Sequence, residues 1–212
     1  GGMKYKVMIV EDQTMPRELF ELRIQSSEHF ETALSIDNAS LAEVYCLRFP
    51  VDLILMDVVT RNGENGLDAA AKIKRAFPQI KIIIVTSMPE YSYLSRAREI
   101  GVESFWYKEE QRESLLDVME RTMAGESVYP DATPELQLGL ASSYEFTERE
   151  LEVLREMTGG DTNQEIADRL HISVATVKSH ILNMLEKTGF RNRTELAVRA
   201  RESGLVILNR KN

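Results

Sequence analysis

Five residues with chemically useful side chains end apolar runs in the first half of the chain. Glu11 and Asp12 follow "KVMIV", and Asp57 follows "LILM". Thr86 ends "IKIIIVT", and Lys108 ends "VESFWYK". An ionised group at the end of a buried segment is costly unless something compensates its charge. These residues are therefore candidates for a binding or catalytic site.

The carboxylates among these residues predict a magnesium-dependent phosphoryl-transfer site. The carboxyl ends of parallel strands share one edge of a sheet, where ligands collect. Three carboxylates there repel one another unless a cation lies between them, and Mg²⁺ suits such oxygen ligands. With Thr86 and Lys108 nearby, Asp57 becomes the candidate nucleophile and the positive charges stabilise the transferring oxygens.

The elements that would position these residues form an α/β domain. Short, β-branched apolar runs alternate with segments that have helical spacing of apolar residues. Nearly continuous apolar strands are typical of a parallel sheet covered by helices on both faces, here a doubly wound, five-stranded one. The predicted strands cover residues 6–10, 32–36, 53–56, 80–85 and 103–107.

The second half of the chain has a different pattern. Residues 126–144 contain two prolines and no basic residue, which is typical of a linker between domains. After it, the sequence predicts a small all-α domain with helices at 147–157, 162–170, 173–188 and 193–203. The expected organisation is a domain at 3–124, a linker at 125–144 and a second domain at 145–209.

The charge distribution indicates a nucleic-acid partner for the second domain. The whole chain has a net charge of −8, but residues 171–212 contain eight Lys and Arg against three acids, a local charge of +5. Two of the helices lie in "TNQEIADRLHISVATVKSHILNMLEKTG", where Thr162 and Glu165 fit a capping box and Ser173 caps the next helix. Small and polar residues at the start of that helix suit entry into a DNA major groove.

The chain resembles the bacterial two-component response regulators, and its first domain resembles their flavodoxin-like receiver. The resemblance rests on Glu11, Asp12, Asp57, Thr86 and Lys108. It implies that Asp57 is the phosphoacceptor and that Lys108 contacts the phosphoryl group. Thr86 and Phe105 would be the switch pair. The implied Mg²⁺ ligands are Glu11, Asp12, Asp57 and the main-chain carbonyl of Val59.

The second domain resembles the LuxR-type helix-turn-helix domain of the NarL/FixJ group, on the residues "FTERELEVLREMTGGDTNQEIADRLHISVATVKSHILNMLEKTG". Residues 174–187 would be the recognition helix. The last helix would mediate dimerisation through Leu196 and Ala200, although the same residues could equally form the domain's own core. The implied DNA contacts are Lys178, Ser179 and Asn183 in the groove, with Thr176, His180, Arg191 or Arg193 on the backbone.

These observations predict a transcription factor controlled by phosphorylation. A sensor histidine kinase or a small acyl phosphate would phosphorylate Asp57, and a homodimer would then bind double-stranded DNA. One alternative is a regulator of the same fold that does not depend on phosphate, because Thr60-Arg61 replaces the Met-Pro that is usual in the family. Ser87 and Glu109 are further departures from the family pattern.

Enzymatic alternatives are disfavoured by the residues present. A haloacid-dehalogenase-like phosphohydrolase needs a second acid two residues after its nucleophile, and here that residue is Val59. A flavin-binding domain would need a hydroxyl- and glycine-rich phosphate loop, which the chain lacks. We interpret the only cysteine, Cys46, as a core residue and not as a reactive thiol. The sequence also has no apolar segment of roughly 20 residues and no leader, so we expect a cytoplasmic protein without membrane contact.

Overall fold

The computed structural model describes residues 2–60, 65–109 and 113–208. The described chain divides into two compact units. The first comprises residues 2–87 and 92–132, and the second comprises residues 88–91 and 133–208. Residues 133–144, which the sequence predicts to be part of the linker, belong to the second unit.

The first unit contains the predicted five-stranded parallel sheet. Its strands are β1 (Tyr5–Val10), β2 (Phe30–Ile36), β3 (Leu53–Met56), β4 (Lys81–Thr86) and β5 (Ser104–Tyr107). Their order in the sheet is β2-β1-β3-β4-β5. All of these strands except β2 are buried along most of their length, because helices cover both faces of the sheet.

Five helices connect and follow these strands. Asn65 and Ser114 cap the third and the fifth of them with their side chains. Cys46 is buried on the second helix, and burial, aided by the charge of Glu43, raises the pKa of its thiol to about 11. Cys46 is thus a core residue, as predicted. The helices are α1 (Thr14–Gln25), α2 (Ala42–Arg48), α3 (Gly66–Ala76), α4 (Tyr93–Ile100) and α5 (Leu115–Met123).

The chain after α5 does not leave the first unit at once. The backbone N–H of Phe105 in β5 donates to the carbonyl oxygen of Val128 at 2.9 Å. The N–H of Val128 in turn donates to the Ser104 hydroxyl at 3.0 Å. Residues 128–129 therefore lie along the outer edge of β5, although the sequence predicted a linker there.

The second unit is built on four helices that enclose their own apolar core. It also contains a short antiparallel pair, β6 (Gln137–Leu138) and β7 (Ala141–Ser142), whose Leu138 and Ala141 are buried in that core. Capping boxes begin two of the helices, at Thr147 and at the predicted Thr162. The helices are α6 (Glu148–Met157), α7 (Asn163–Leu170), α8 (Val174–Thr188) and α9 (Arg193–Ser203).

Candidate phosphoacceptor site and DNA-binding surface

The sheet brings the predicted acidic residues together. β1 and β3 are hydrogen-bonded neighbours, and Val10 pairs with Met56. Glu11 and Asp57 directly follow these two residues, so they lie side by side at the same edge of the sheet. Each of Glu11, Asp12 and Asp57 offers a carboxylate oxygen, and these oxygens all lie within 4.8 Å of one another. Glu11 is fully buried and Asp57 is nearly so.

Lys108 supplies positive charge to this cluster. Its Nζ lies 2.9 Å from Glu11 Oε1 and 3.2 Å from Asp57 Oδ2. The backbone N–H of Lys108 donates to the carbonyl oxygen of Thr86 at 2.9 Å, which fixes the start of the chain beyond β5 against the end of β4. One ammonium group beside three acidic side chains leaves the cluster with an excess of negative charge, even when one of the acids holds a proton.

The electrostatics of Glu11 fit a cation site. Burial, followed by the neighbouring Asp57 carboxylate, raises the pKa of Glu11 to about 8, although Lys108 acts in the opposite direction. Glu11 Oε2 is buried without a hydrogen-bond partner among the described residues. A buried acceptor without a donor is costly, and a divalent cation with oxygen ligands would satisfy it.

The two predicted switch residues have different positions in the strands. Thr86 is fully buried at the end of β4, where it pairs with Tyr107, while Phe105 pairs with Ile84. The ring of Phe105 is already buried, and its centroid lies 5.0 Å from that of Tyr107 and 6.2 Å from that of Tyr129. A movement of the Phe105 ring on phosphorylation would therefore be a rearrangement within a packed environment.

The backbone around Asp57 depends on Gly66, a residue that the sequence pattern did not assign to the site. A Cβ atom on Gly66 would lie 1.9 Å from the carbonyl oxygen of Asp57. The N–H of Gly66 donates to the carbonyl oxygen of Val58 at 2.7 Å, and Val59 pairs with Asn65. Only glycine permits this approach. The signal in the sequence is weak, since a glycine at the start of a helix is common wherever the chain turns.

Thr60 joins the segment after Asp57 to the segment between β2 and α2. It is buried, and its hydroxyl accepts a hydrogen bond from the N–H of Ala39 at 3.1 Å. This contact gives Thr60 a structural role at the position where the family usually has methionine. The atypical residues that follow, including Arg61, lie outside the described residues.

The predicted groove contacts lie on one exposed surface of α8. Lys178, Ser179 and Asn183 are exposed, and so is the intervening Leu182. Thr176 is also exposed, but its hydroxyl bonds that of Ser173 at 2.8 Å as part of the helix start. Buried residues of the same helix, including Val177 and Ile181, hold the opposite face against the core.

Two sets of predicted site residues in the second domain make contacts within the domain. Arg193 is partly exposed and donates to the side-chain oxygen of Asn163 and, at 2.7 Å, to the carbonyl oxygen of Asp161, so it braces the start of α7. Leu196 and Ala200 are fully buried in the domain's own core and present no side-chain surface to a second molecule. The core interpretation of α9 is the one that the structure supports.

Comparison with protein families gives two matches along the chain. Residues 7–120 match the response regulator receiver domain, and residues 145–200 match the bacterial regulatory proteins of the luxR family. The chain belongs to the response regulators. Its two domains are a receiver and a LuxR-type DNA-binding domain, so it is a two-component transcription regulator and not an enzyme.

Two curated relatives align with almost the whole of this chain. The response regulator protein VraR of Staphylococcus epidermidis is 32% identical over 209 residues, covering 96% of this chain and all of the relative. VraR of Staphylococcus aureus is 33% identical over 217 residues with the same coverage. The fold is similar to that of RcsB from Salmonella enterica serovar Typhimurium bound to the rprA promoter with the phosphomimetic BeF3−, with a TM-score of 0.58, 22% identity and coverage of 93% of this chain and 98% of that one.

The described residues include no helix that is both long and apolar enough to cross a lipid bilayer.

Proposed function

We propose that phosphorylation of Asp57 controls dimerisation and promoter binding by this response regulator. The observation that carries the proposal is the convergence of Glu11, Asp12, Asp57 and Lys108 at one sheet edge. We propose that a sensor histidine kinase is the phosphoryl donor and that the protein acts in the cytoplasm.

Each residue of the site has a distinct role in the proposed transfer. A carboxylate oxygen of Asp57 attacks the donor phosphorus, and the bond between phosphorus and the donor atom breaks as the donor leaves. Lys108 stabilises the charge of the phosphoryl oxygens. Glu11, Asp12, Asp57 and the carbonyl oxygen of Val59 would hold Mg²⁺, which supplies further positive charge when bound. Thr86, at the end of β4, would then bond the phosphorylated group.

The DNA-binding role is assigned to the exposed surface of α8. A second helix of this kind enters the major groove of DNA, and its exposed side chains contact base edges and phosphates. Lys178, Ser179 and Asn183 would make groove contacts, with His180 and Arg191 on the backbone. Complexes described as RcsB dimers bound to DNA support, by fold similarity, a homodimer as the binding species.

The direct test is phosphoryl uptake from acetyl phosphate in the presence of Mg²⁺, followed by intact-protein mass spectrometry. The parent protein should gain one phosphoryl group and Asp57→Asn none. Asp68→Asn is the matched control, because Asp68 is a partly exposed receiver aspartate paired with Arg96 at 3.2 Å. Uptake by Asp57→Asn equal to that of the parent would contradict the acceptor assignment.

The same proteins separate phosphate-dependent from phosphate-independent regulation. Phosphorylated parent should sediment as a dimer and bind selected promoter DNA more tightly than Asp57→Asn does. Equal dimerisation and equal DNA affinity, despite complete phosphorylation of the parent, would favour the alternative in which the receiver acts without phosphate.

A further inference from the structure

The residues that follow α5 are attached to β5 more firmly than a linker requires. Val128 both accepts a hydrogen bond from the N–H of Phe105 at 2.9 Å and donates one to the Ser104 hydroxyl at 3.0 Å. That hydroxyl also bonds the Thr122 hydroxyl of α5 at 2.7 Å, and both side chains are fully buried. The Val128 side chain is buried in the receiver core. A buried hydrogen-bond network whose members are all bonded stabilises a single arrangement of these residues.

Tyr129 occupies the other face of this segment. Its hydroxyl donates to the carbonyl oxygen of Val102 at 2.6 Å, and the Arg98 guanidinium of α4 lies 4.1 Å from its ring centroid. Burial raises the pKa of Tyr129 to about 12, although the charge of Arg98 lowers it, so the hydroxyl remains a proton donor at neutral pH. The tyrosine thereby connects α4, the turn before β5 and the chain that leads to the second domain.

The ring of Tyr129 also lies beside the switch residue. Its centroid is 6.2 Å from that of Phe105, within the range of an aromatic contact. Phe105 thus touches this segment twice, through its backbone N–H and through its ring. Since packed interiors do not deform continuously, a new position of the Phe105 ring requires a new position of Tyr129.

We propose that the segment Val128–Tyr129, which we term the β5-edge segment, is the element through which the receiver transmits phosphorylation to the rest of the chain. Rearrangement of Phe105 releases this segment from β5 and frees the chain that follows. Tyr129 is a positioning residue that stabilises the unphosphorylated arrangement. The inference rests on the proposed phosphorylation of Asp57.

Hydrogen–deuterium exchange of the full chain tests the release directly. The N–H groups of Phe105 and Val128 are both bonded in the attached arrangement, so their exchange reports on it. Treatment with acetyl phosphate and Mg²⁺ should increase exchange of the peptide covering 126–131 by about fivefold or more. If mass spectrometry shows phosphorylation at Asp57 and the exchange of this peptide is unchanged, the present inference is overturned and the proposed function is not. Absence of phosphoryl uptake would overturn the proposed function instead.

Substitution of Tyr129 tests its role in coupling. In Tyr129→Ala the exchange of residues 126–131 should already be high without phosphate. The ratio of DNA affinities with and without phosphorylation should fall by about fivefold or more. Phosphoryl uptake itself should persist, which a merely unfolded receiver would not allow. Tyr129→Phe removes only the hydroxyl bond and should give an intermediate ratio.

Tyr45→Ala is the matched control. Tyr45 is a partly buried receiver tyrosine on α2, and its ring contacts that of Phe49 with the centroids 5.9 Å apart. Its loss should leave the exchange of residues 126–131 and the affinity ratio unchanged. If Tyr129→Ala behaves like Tyr45→Ala in both measurements, Tyr129 has no part in transmission.

Discussion

We propose that the acid site of the receiver and the exposed surface of α8 both contact phosphate groups, and the two are built in opposite ways. At the acid site, Glu11 and Asp57 are buried and Lys108 holds both within 3.2 Å. On α8, Lys178, Ser179 and Asn183 are exposed and the burial lies on the opposite face of the helix.

This difference follows from what each surface must accomplish. A phosphoryl-transfer site requires fixed charges in a water-poor place, where each interaction is strong and each loss is expensive. A DNA-binding surface requires many accessible contacts to a long polyanion, and each of them contributes little. We therefore expect single substitutions to have large, indivisible effects in the receiver and small, additive effects on α8.

Removal of Lys108 should have the largest effect on stability. Lys108→Met leaves Glu11 and Asp57 without their cation, and breaking a buried ion pair costs about 3–5 kcal/mol. Urea unfolding of the receiver transition without divalent ions measures this loss. Added Mg²⁺ should restore part of it, because the ion binds the folded acid cluster.

Lys74→Met is the control for that experiment. Lys74 and Lys108 have the same side-chain exposure, 13%, and Lys74 pairs with Glu103 away from the acid cluster. Mg²⁺ should stabilise Lys74→Met and the parent equally, because both keep the acid cluster, so the difference between these two proteins should not shrink. If the difference from the parent shrinks with Mg²⁺ for Lys74→Met as much as for Lys108→Met, the assignment of the cation to Glu11, Asp12 and Asp57 is contradicted.

Gly66→Ala should be the next most damaging change. Its Cβ would overlap the carbonyl oxygen of Asp57, so the backbone must shift at a cost of about 3 kcal/mol. Phosphoryl uptake from acetyl phosphate should slow as well. Gly101→Ala, at a positive φ of 92° but with open space around it, should cost only about 1 kcal/mol and leave uptake unaffected.

Glu150→Gln tests the buried interactions that hold the helices of the second domain together. Burial alone would raise the pKa of Glu150, but the hydrogen bond from Lys187 at 2.5 Å and the one from the Thr147 N–H at 2.8 Å outweigh it, so its pKa is lowered. A carboxyl with a lowered folded-state pKa stabilises the fold above its unfolded-state pKa, and this contribution is lost as pH falls through the folded-state value. At pH 7 the variant should lose about 1.5 kcal/mol.

Thermal unfolding of the second domain between pH 7 and pH 3 measures this dependence. The difference between parent and Glu150→Gln should shrink as the solution becomes acidic. A difference that stays constant over that interval would show that the ionisation of Glu150 does not stabilise the domain.

Lys178→Ala should have the smallest effect, confined to DNA binding. The loss of one exposed groove contact costs about 1 kcal/mol, and the loss of its positive charge beside the DNA phosphates lowers the slope of log affinity against log salt by about 1. Fluorescence anisotropy over a salt series measures both. Lys4→Ala, an exposed lysine of the receiver, should change neither quantity. An unaltered salt slope in Lys178→Ala would remove this lysine from the interface.

Local patterns predicted the elements and much of the site. The apolar runs predicted all five strands within two residues, because buried parallel strands need continuous apolar sequence. The spacing of Thr162 and Glu165 predicted the start of α7, since a capping box is a contact between residues three apart. Strand order then followed from the doubly wound topology, and with it the convergence of Glu11, Asp12 and Asp57.

Contacts between distant residues decided the rest. Residues far away in the chain determine three features of the structure. They are the burial of Leu196 and Ala200 in the core, the hydrogen bonds of Arg193 and the attachment of Val128 to β5. The need for glycine at position 66 likewise exists only because the carbonyl oxygen of Asp57 approaches it. Sequence by itself determined which residues could form strands, caps and a charged site, because those preferences are local. Only the tertiary structure decided which surfaces remain exposed, because burial is a property of neighbours that are far apart in the chain.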